Sequence, residues 1–239
     1  MEERLSMRRL VYVPIIHTEP ELGTLGQSIE EWAKVVAGES NWQRHKEVVR
    51  RYWQEIADYW EGQNVAGLKI FQDGLPADGE VGEFIVKSLA DKGSVNHKII
   101  AHLLERGATL IQTEDPEVVK KEYLLAKELT KRTAFLGSLW AIFRYRRQKD
   151  RLLKARDTYI IKRINESLEA GETGVCFLGA EHQILPNLPR DIEVIPLKDP
   201  QKVRVYHQKS MSRKWEKEVR ELGAYLTTPI QIKPGETYD

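Results

Sequence analysis

Six polar residues of this sequence could together form a site for acid–base or metal chemistry. They are His17, Asp73, Glu114, Arg156, Asp157 and His182. Neutral imidazoles and carboxylates suit a divalent ion such as Mn, Zn, Co or Fe, and the predicted ligands are His17, His182, Asp73 and Glu114. The same residue types could instead hydrolyse a bond without a metal, because a histidine can activate water as a base while Arg156 stabilises an oxyanion.

Short apolar stretches predict the strands that would bring these residues together. The stretches are 10–16, 65–71, 108–112, 175–178 and 192–197. Their alternation with helical patterns predicts an α/β fold, with a mainly parallel sheet of about five strands flanked by helices. Parallel strands end at one edge of a sheet, called the rim below, so the polar residues that follow them should share that edge. The residues that follow the first four stretches are His17, Asp73, Glu114 and the pair Glu181-His182.

The helix predicted over 150–170 places two charges in its apolar face. At 100° per residue, Arg156 and Asp157 fall among the apolar side chains and not on the opposite, polar face. An isolated ion loses several kcal/mol of solvation in such a place, so each charge should have a partner or a ligand. The two interpretations are a buried structural ion pair and a site in which Asp157 orients Arg156 to stabilise an anion.

The segment 116–170 has almost no strand pattern and predicts a long helical excursion before the fourth strand. Within it, the apolar stretch 135–143 could form a homo-oligomer interface, and the basic run 144–154 could contact nucleic acid. The whole chain has 37 basic and 36 acidic residues, and its net charge of +1 gives no support for nucleic-acid binding. We predict an α/β domain over 1–200 that carries the rim and the excursion, followed by a C-terminal helix and tail over 201–239.

Several familiar enzyme motifs do not occur in the sequence. It has no HExxH, GxSxG, GxGxxG or P-loop pattern, which argues against a zincin protease, a serine hydrolase, a dehydrogenase and a P-loop nucleotidase. The single cysteine, Cys176, falls in an apolar stretch and is expected in the core. No run of about 18 apolar residues occurs, so we expect no membrane span and a cytoplasmic protein.

Two segments of the sequence resemble a known superfamily. Arg156-Asp157 with the isoleucines that follow, and the stretch 172–182 that ends in Phe-Leu-Gly-Ala-Glu-His, are similar to motifs of the TraB/TIKI and erythromycin-esterase/ChaN-like superfamily. These motifs are its Arg-Asp/Asn helix and its Gly-x-x-His strand. The first strand, ending in His17, resembles that superfamily's first histidine motif, with Pro14 at the glycine position. Because proline donates no backbone hydrogen bond, pairing on one side of this strand should stop a few residues before His17.

The resemblance implies a site of paired histidines and an acidic residue. Members of the superfamily include metal-dependent proteases, esterases that open macrolide rings and haem-binding proteins. By position, the resemblance marks His17, Arg156, Gly179 and His182, with Asp73 or Glu114 as the acidic member. We therefore predict a hydrolase of a peptide, ester or amide bond, acting on a small-molecule or peptide substrate through a metal-dependent site at the rim. The alternatives are a non-catalytic protein that binds haem or another small ligand in this cleft, and an assembly protein with a vestigial rim.

Overall fold

The described strands form one parallel sheet. A computed structural model describes residues 7–17, 31, 34–118, 120 and 139–231. The strands are β1 (Arg8–Ile15), β2 (Lys69–Gln72), β3 (Thr109–Ile111), β4 (Thr173–Gly179) and β5 (Ile192–Pro196). Their order in the sheet is β3-β2-β4-β1-β5, and each neighbouring pair is parallel. The predicted α/β fold with a parallel sheet of about five strands is confirmed.

Helices connect the strands. Those in the described ranges are α1 (Glu39–Glu61), α2 (Gly79–Asp91), α3 (Val95–Glu105), α4 (Leu139–Ser167), α5 (Pro200–Lys209) and α6 (Glu216–Leu226), with short 3₁₀ turns at Leu185–Asn187 and Arg213–Trp215. Helix α4 is the described end of the predicted excursion and precedes β4. The apolar stretch 135–143 and most of the basic run 144–154 have side chains outside the described part of the chain, so the oligomer interface stays a prediction. None of the described helices combines the length and apolar character needed to cross a bilayer.

Among the described residues, two apolar clusters, one on each face of the sheet, form the core. Alternate residues of β1 divide between them, because Val11 and Val13 contact the first cluster and Leu10 contacts the second. Helices α1, α3, α5 and α6 contribute to the first cluster. Helix α4 packs on the other face through Ile160 and Ile164, in the cluster that also contains the buried Cys176. The side of α4 that faces the sheet is therefore the apolar face that also carries Arg156 and Asp157.

The direction of α4 places these two charges at the rim. Arg8, at the start of β1, donates from Nη1 to the carbonyls of Asn165 and Leu168 at 3.0 and 3.2 Å. The C-terminal end of α4 thus lies at the amino ends of the strands. Because the helix runs antiparallel to the strand that follows it, its earlier turns, with Arg156, lie toward the carboxyl ends.

The pairing of β1 changes near Pro14, as predicted. On the β5 side the register ends at Tyr12 opposite Pro196. On the β4 side it continues to Ile15 opposite Gly179. Because proline has no N–H to donate, it suits the part of β1 that extends beyond β5. This extended end carries the chain to the rim.

The C-terminal region contains two α-helices where the sequence analysis predicts one. The sequence pattern does not predict helix α5, because only Val203 and Tyr206 among its residues are buried and most of the others are polar. These two side chains and Leu226 of α6 belong to the same apolar cluster as Val13 of β1. Helices α5 and α6 therefore pack on the sheet, and α5 lies beside the rim.

Candidate functional site

A cleft lies at the carboxyl ends of β1, β2 and β4. It contains a cavity of about 170 Å³, and its polar lining consists of His17, Asp73, Arg156, Glu181, His182 and His207. The chain leaves this part of the sheet in opposite directions, from β2 outward to β3 and from β4 across β1 to β5. Ligands of open parallel sheets bind at such a switch point, outside the carboxyl ends of the strands.

A largely buried ion-pair network joins Arg156 of α4 to the ends of β2 and β3. The guanidinium donates from Nη2 to Asp73 Oδ1 at 2.7 Å and from Nε to Glu114 Oε1 at 2.8 Å. The side chains of Arg156, Asp73 and Glu114 are 18%, 12% and 0% exposed. One cation thus balances two carboxylates, either of which would be costly to bury alone.

A second pair joins Asp157 of α4 to His182 at the end of β4. The Nδ1–H of His182 donates to Asp157 Oδ1 at 2.5 Å, while Asp157 Oδ2 accepts the backbone N–H of Gln183 at 3.1 Å. These contacts orient the imidazole so that Nε2 lies 3.3 Å from Asp73 Oδ2. His182 is therefore held between two carboxylates, with its side chain only 3% exposed.

Backbone contacts fix the ends of β2 and β4 against each other. Asp73 donates its backbone N–H to the Phe177 carbonyl at 2.8 Å, and its Oδ2 accepts the Gly179 N–H at 3.0 Å. A Cβ at position 179 would lie 3.0 Å from Asp73 Oδ2 and 3.6 Å from His17 Nε2. Glycine at this position therefore allows the carboxylate and both histidines to approach the end of β4.

Helix α1 positions the end of β1 that carries His17. The indole N–H of Trp53 donates to the Ile16 carbonyl at 3.0 Å, and the Tyr52 hydroxyl donates to the Pro14 carbonyl. Both aromatic side chains are fully buried. They fill the core and also fix the strand end, while His17 itself is exposed at the mouth of the cleft.

The surroundings move the pKa values of His182 and Asp73 in opposite directions. Burial alone would lower the pKa of His182, but its hydrogen bonds to Asp157 and Asp73 outweigh this effect and raise the pKa from 6.5 to about 9. Burial alone would raise the pKa of Asp73, but the hydrogen bond and charge of His182, together with Arg156, hold it well below its ordinary value. At neutral pH the pair is an imidazolium and a carboxylate.

Glu114 lies behind Arg156 and does not line the cavity. Its Oε1 accepts from Arg156 and, at 3.3 Å, from the backbone N–H of Gly74, whereas its Oε2 is buried without a hydrogen-bond partner in the described structure. Burial raises the pKa of Glu114 despite the opposing effect of Arg156. Of the two carboxylates that the sequence left open, Asp73 is the one that faces the cavity and His182.

The partner of Asp157 differs from the prediction. Asp157 does not orient Arg156 but holds His182, while Asp73 and Glu114 hold Arg156. The physical reason is that adjacent residues of a helix point about 100° apart, so the two charges reach different strand ends. The two charges form largely buried ion pairs with residues at the strand ends, and their part in a functional site stays a prediction.

Helix α5 brings two residues to the cleft that the predicted set lacks. Arg204 donates from Nε to the Ala180 carbonyl at 2.8 Å and from Nη2 to the His182 carbonyl at 3.0 Å. His207 lines the cavity. The available signal was Asp199 followed by Pro200, a typical helix start.

The four predicted metal ligands do not fit a metal ion as they are arranged. Asp73 and Glu114 share the Arg156 guanidinium, whose charge opposes a cation placed between them. His182 directs its second ring nitrogen at Asp73 and not at an open position. Over the described ranges, no group of three or more His, Cys, Asp or Glu residues could hold a metal ion. The donor set fits a charge-paired acid–base site better than a metal centre.

Comparison with known proteins gives no match. No protein-family model, no curated protein and no solved structure matches this chain significantly. The resemblance to the TraB/TIKI and erythromycin-esterase/ChaN-like superfamily therefore stays a prediction that rests on its short motifs.

Proposed function

We propose that the protein is a hydrolase of ester, amide or peptide bonds that uses general acid–base catalysis in the cleft. The observation that supports this function is the Asp157–His182 pair, which holds an oriented imidazole in the lining of the cavity with its Nε2 beside Asp73 Oδ2. A histidine held through Nδ1 by a carboxylate can transfer a proton from Nε2 to a leaving group. The raised pKa of His182 keeps that proton in place at neutral pH.

Asp73 and Arg156 have complementary parts in this proposal. Asp73 stabilises the imidazolium form of His182, which is the form that a general acid needs. Arg156 lines the cavity, and its positive charge favours the oxyanion that forms when water adds to a carbonyl carbon. Water reaches the site from solvent, because His17 and Glu181 at the mouth of the cleft are exposed.

The size of the cavity favours hydrolysis over haem binding. A volume of about 170 Å³ lies below the roughly 300–1,000 Å³ of pockets that enclose drug-sized ligands. The buried polar groups of the cleft are also paired with one another. Haem titration tests the alternative directly, since a Soret band that disappears in His17→Ala and His182→Ala would favour a haem-binding protein.

Hydrolysis is tested with substrates that differ in their leaving groups. The wild type and His182→Gln are assayed with p-nitrophenyl acetate, ethyl esters and amino-acid p-nitroanilides. We expect His182→Gln to lose about 10²–10⁴-fold on ethyl esters, the usual contribution of a general acid. The loss should be smaller on p-nitrophenyl acetate, because nitrophenolate leaves without protonation.

The matched control is His102→Gln, because His102 lies on α3, outside the cleft, and pairs with Glu61. This variant should hydrolyse each probe at the wild-type rate. Equal rates for the wild type and His182→Gln, or no hydrolysis of any probe above the buffer rate, would refute the proposed function.

Metal dependence is tested separately on protein purified without a histidine tag. The metal content of the wild type, His17→Ala and His182→Ala is measured by mass spectrometry. The charge-paired site predicts no stoichiometric Mn, Zn, Fe or Co, and hydrolysis that survives a chelator. A stoichiometric metal that disappears in both variants would replace the metal-free mechanism by a metal-dependent one.

A further inference from the structure

A third histidine faces the cavity from a helix that contributes no residue to the predicted site. His207 belongs to the last turn of α5 and lines the same cavity as His17 and His182. The proposed function gives His182 the part of the acid and leaves the base that activates water unassigned. His207 is placed to fill that part.

The position of His207 is fixed relative to His182 by Arg204. The guanidinium of Arg204 donates to the carbonyls of Ala180 and His182 at 2.8 and 3.0 Å, which ties α5 to the loop after β4. Residues three apart on a helix share a face, so His207 lies on the side of α5 that Arg204 holds against this loop. Val203, one turn before His207, and the adjacent Tyr206 are buried in the core, and they fix the rotation of α5 about its axis.

We propose that His207 is the general base of this hydrolase, removing a proton from the attacking water while His182 protonates the leaving group. This inference rests on the proposed function, and it assigns the second half of the acid–base pair. It differs from the sequence-based expectation, in which the base is a histidine, His17 or His182, or a carboxylate, Asp73 or Glu114.

The two histidines have contrasting surroundings. His182 lies between the carboxylates of Asp157 and Asp73. The charged and titratable groups near His207 include His17 after β1, Glu181 after β4 and His45 of α1, and Arg156 of α4 lines the same cavity. Partial burial and the neighbouring His17 lower the pKa of His207, and Glu181 opposes them. Environments that separate two pKa values in this way identify the acid and the base of a site.

The reaction step balances within these groups. His207 accepts a proton from water, the water oxygen bonds to the carbonyl carbon, and the carbonyl electron pair moves onto oxygen. When this oxyanion collapses, the bond to the leaving group breaks and His182 gives its proton to the leaving oxygen or nitrogen. The products are a carboxylic acid and an alcohol or amine, and the proton on His207 returns to His182 through solvent.

The test compares His207→Gln with the wild type on an ethyl ester over a pH series. A base must be unprotonated and an acid protonated, so wild-type activity should fall below the pKa of His207 and again above that of His182, about 9. We expect the activity of His207→Gln to be about 10²–10⁴-fold below that of the wild type. Its activity should no longer fall at low pH, and should still fall at high pH. Unlike His182→Gln, it should lose equally on ethyl esters and p-nitrophenyl acetate, because both reactions need the attacking water.

Chemical rescue separates a base from a structural residue. His207 is exposed, so its replacement should leave the fold intact, and a thermal melt of each variant checks this. Added imidazole should restore part of the activity of His207→Ala. The control His102→Ala should have the rate of the wild-type protein with or without imidazole. If the wild type is active and His207→Gln has the same rate and the same pH dependence, the role of His207 is refuted and the proposed function is not. No hydrolysis by the wild type would refute the proposed function and this inference together.

Discussion

Arg156 and Asp157 show how two adjacent charges can lie in the apolar face of one helix. Each is paired with a different strand end, Arg156 with Asp73 and Asp157 with His182. Because these pairs are mostly buried, removing one partner leaves an uncompensated charge, which costs more than the pair itself contributes. Substitutions that keep the shape of a side chain and remove its charge are therefore the informative ones at this site.

Replacing Asp157 by Asn tests whether this carboxylate maintains the proton on His182. We expect the pKa of His182 to fall from about 9 toward its ordinary value. Burial lowers this pKa, and the variant loses the hydrogen bond to the Asp157 carboxylate that opposes the effect of burial. Hydrolysis of ethyl esters at pH 8 should fall on the order of 10²-fold. The pKa is measured by NMR of the imidazole ring. Glu166→Gln, an exposed position on the same helix, is the control, and an unchanged pKa in Asp157→Asn would contradict the assignment.

Replacing Gly179 by Ala tests the close approach at the end of β4. The added Cβ would lie 3.0 Å from Asp73 Oδ2 and 3.8 Å from His182 Cδ2, so the carboxylate must move. We expect a loss of about 1–3 kcal/mol in the free energy of unfolding, as for other overpacked sites, and a lower kcat/KM. Gly62→Ala is the matched control, because no atom lies within 4 Å of its Cβ position and its φ is −86°. Equal stability of the two variants would show that the strand end is not tightly packed.

Among the elements, α5 is the one that most changes the interpretation of the site. It places Arg204 against the loop after β4 and His207 in the cavity. Its start is defined by Asp199, whose side chain accepts the backbone N–H groups of Gln201 and Lys202 at 2.8 and 3.2 Å. A helix with only two buried side chains depends on such a cap.

Replacing Asp199 by Ala should therefore destabilise the protein by about 1 kcal/mol, the usual cost of losing an N-cap. The free energy of unfolding is measured by urea denaturation. Gln208→Ala, an exposed substitution on the same helix, serves as the comparison and should have little effect. If the two variants were equally stable, the N-terminus of α5 would not depend on this cap.

The sequence predicts the strands and most helices because each buries an apolar stretch or an apolar face. It misses α5 because two buried residues are too few to form a periodic pattern. The six predicted site residues do come together, since carboxyl ends of parallel strands meet at one edge, but Asp157 and Glu114 support the cleft and do not line it. Their pairing could not be read from the sequence, because it depends on the strand order β3-β2-β4 and on the rotation of α4 about its axis. Packing across the whole sheet sets both.

For the molecule as a whole, the fold gathers charges that are far apart in sequence into one poorly solvated network. Asp73 follows β2, Arg156 lies on α4 and His182 follows β4, and their side chains are 12%, 18% and 3% exposed. The protonation of a single buried histidine therefore affects the stability of the entire fold through linkage.

We expect the free energy of unfolding to decrease as the pH rises from about 6.5 to about 9. The folded-state pKa of His182 lies above its value of 6.5 in the unfolded chain, so its stabilising contribution is complete below pH 6.5 and is lost as the pH rises through about 9. At 1.36 kcal/mol per pKa unit, the loss is on the order of 3 kcal/mol. Burial lowers the pKa values of His45 and His207. These two histidines therefore reduce stability mainly below pH 6.5, where the unfolded chain binds protons that the folded protein does not.

The measurement is urea unfolding of the wild type and His182→Gln at pH values from 6 to about 9.5. Glutamine does not titrate, so the difference between the two stability curves isolates His182 from other groups, including the buried Lys198, whose pKa burial also lowers. The difference should shrink as the pH rises, and His102→Gln should follow the wild type throughout. Parallel curves for the wild type and His182→Gln across this range would show that the His182 proton is not held by Asp157 and Asp73. In that case the cleft would lack the charged general acid on which the proposed chemistry depends.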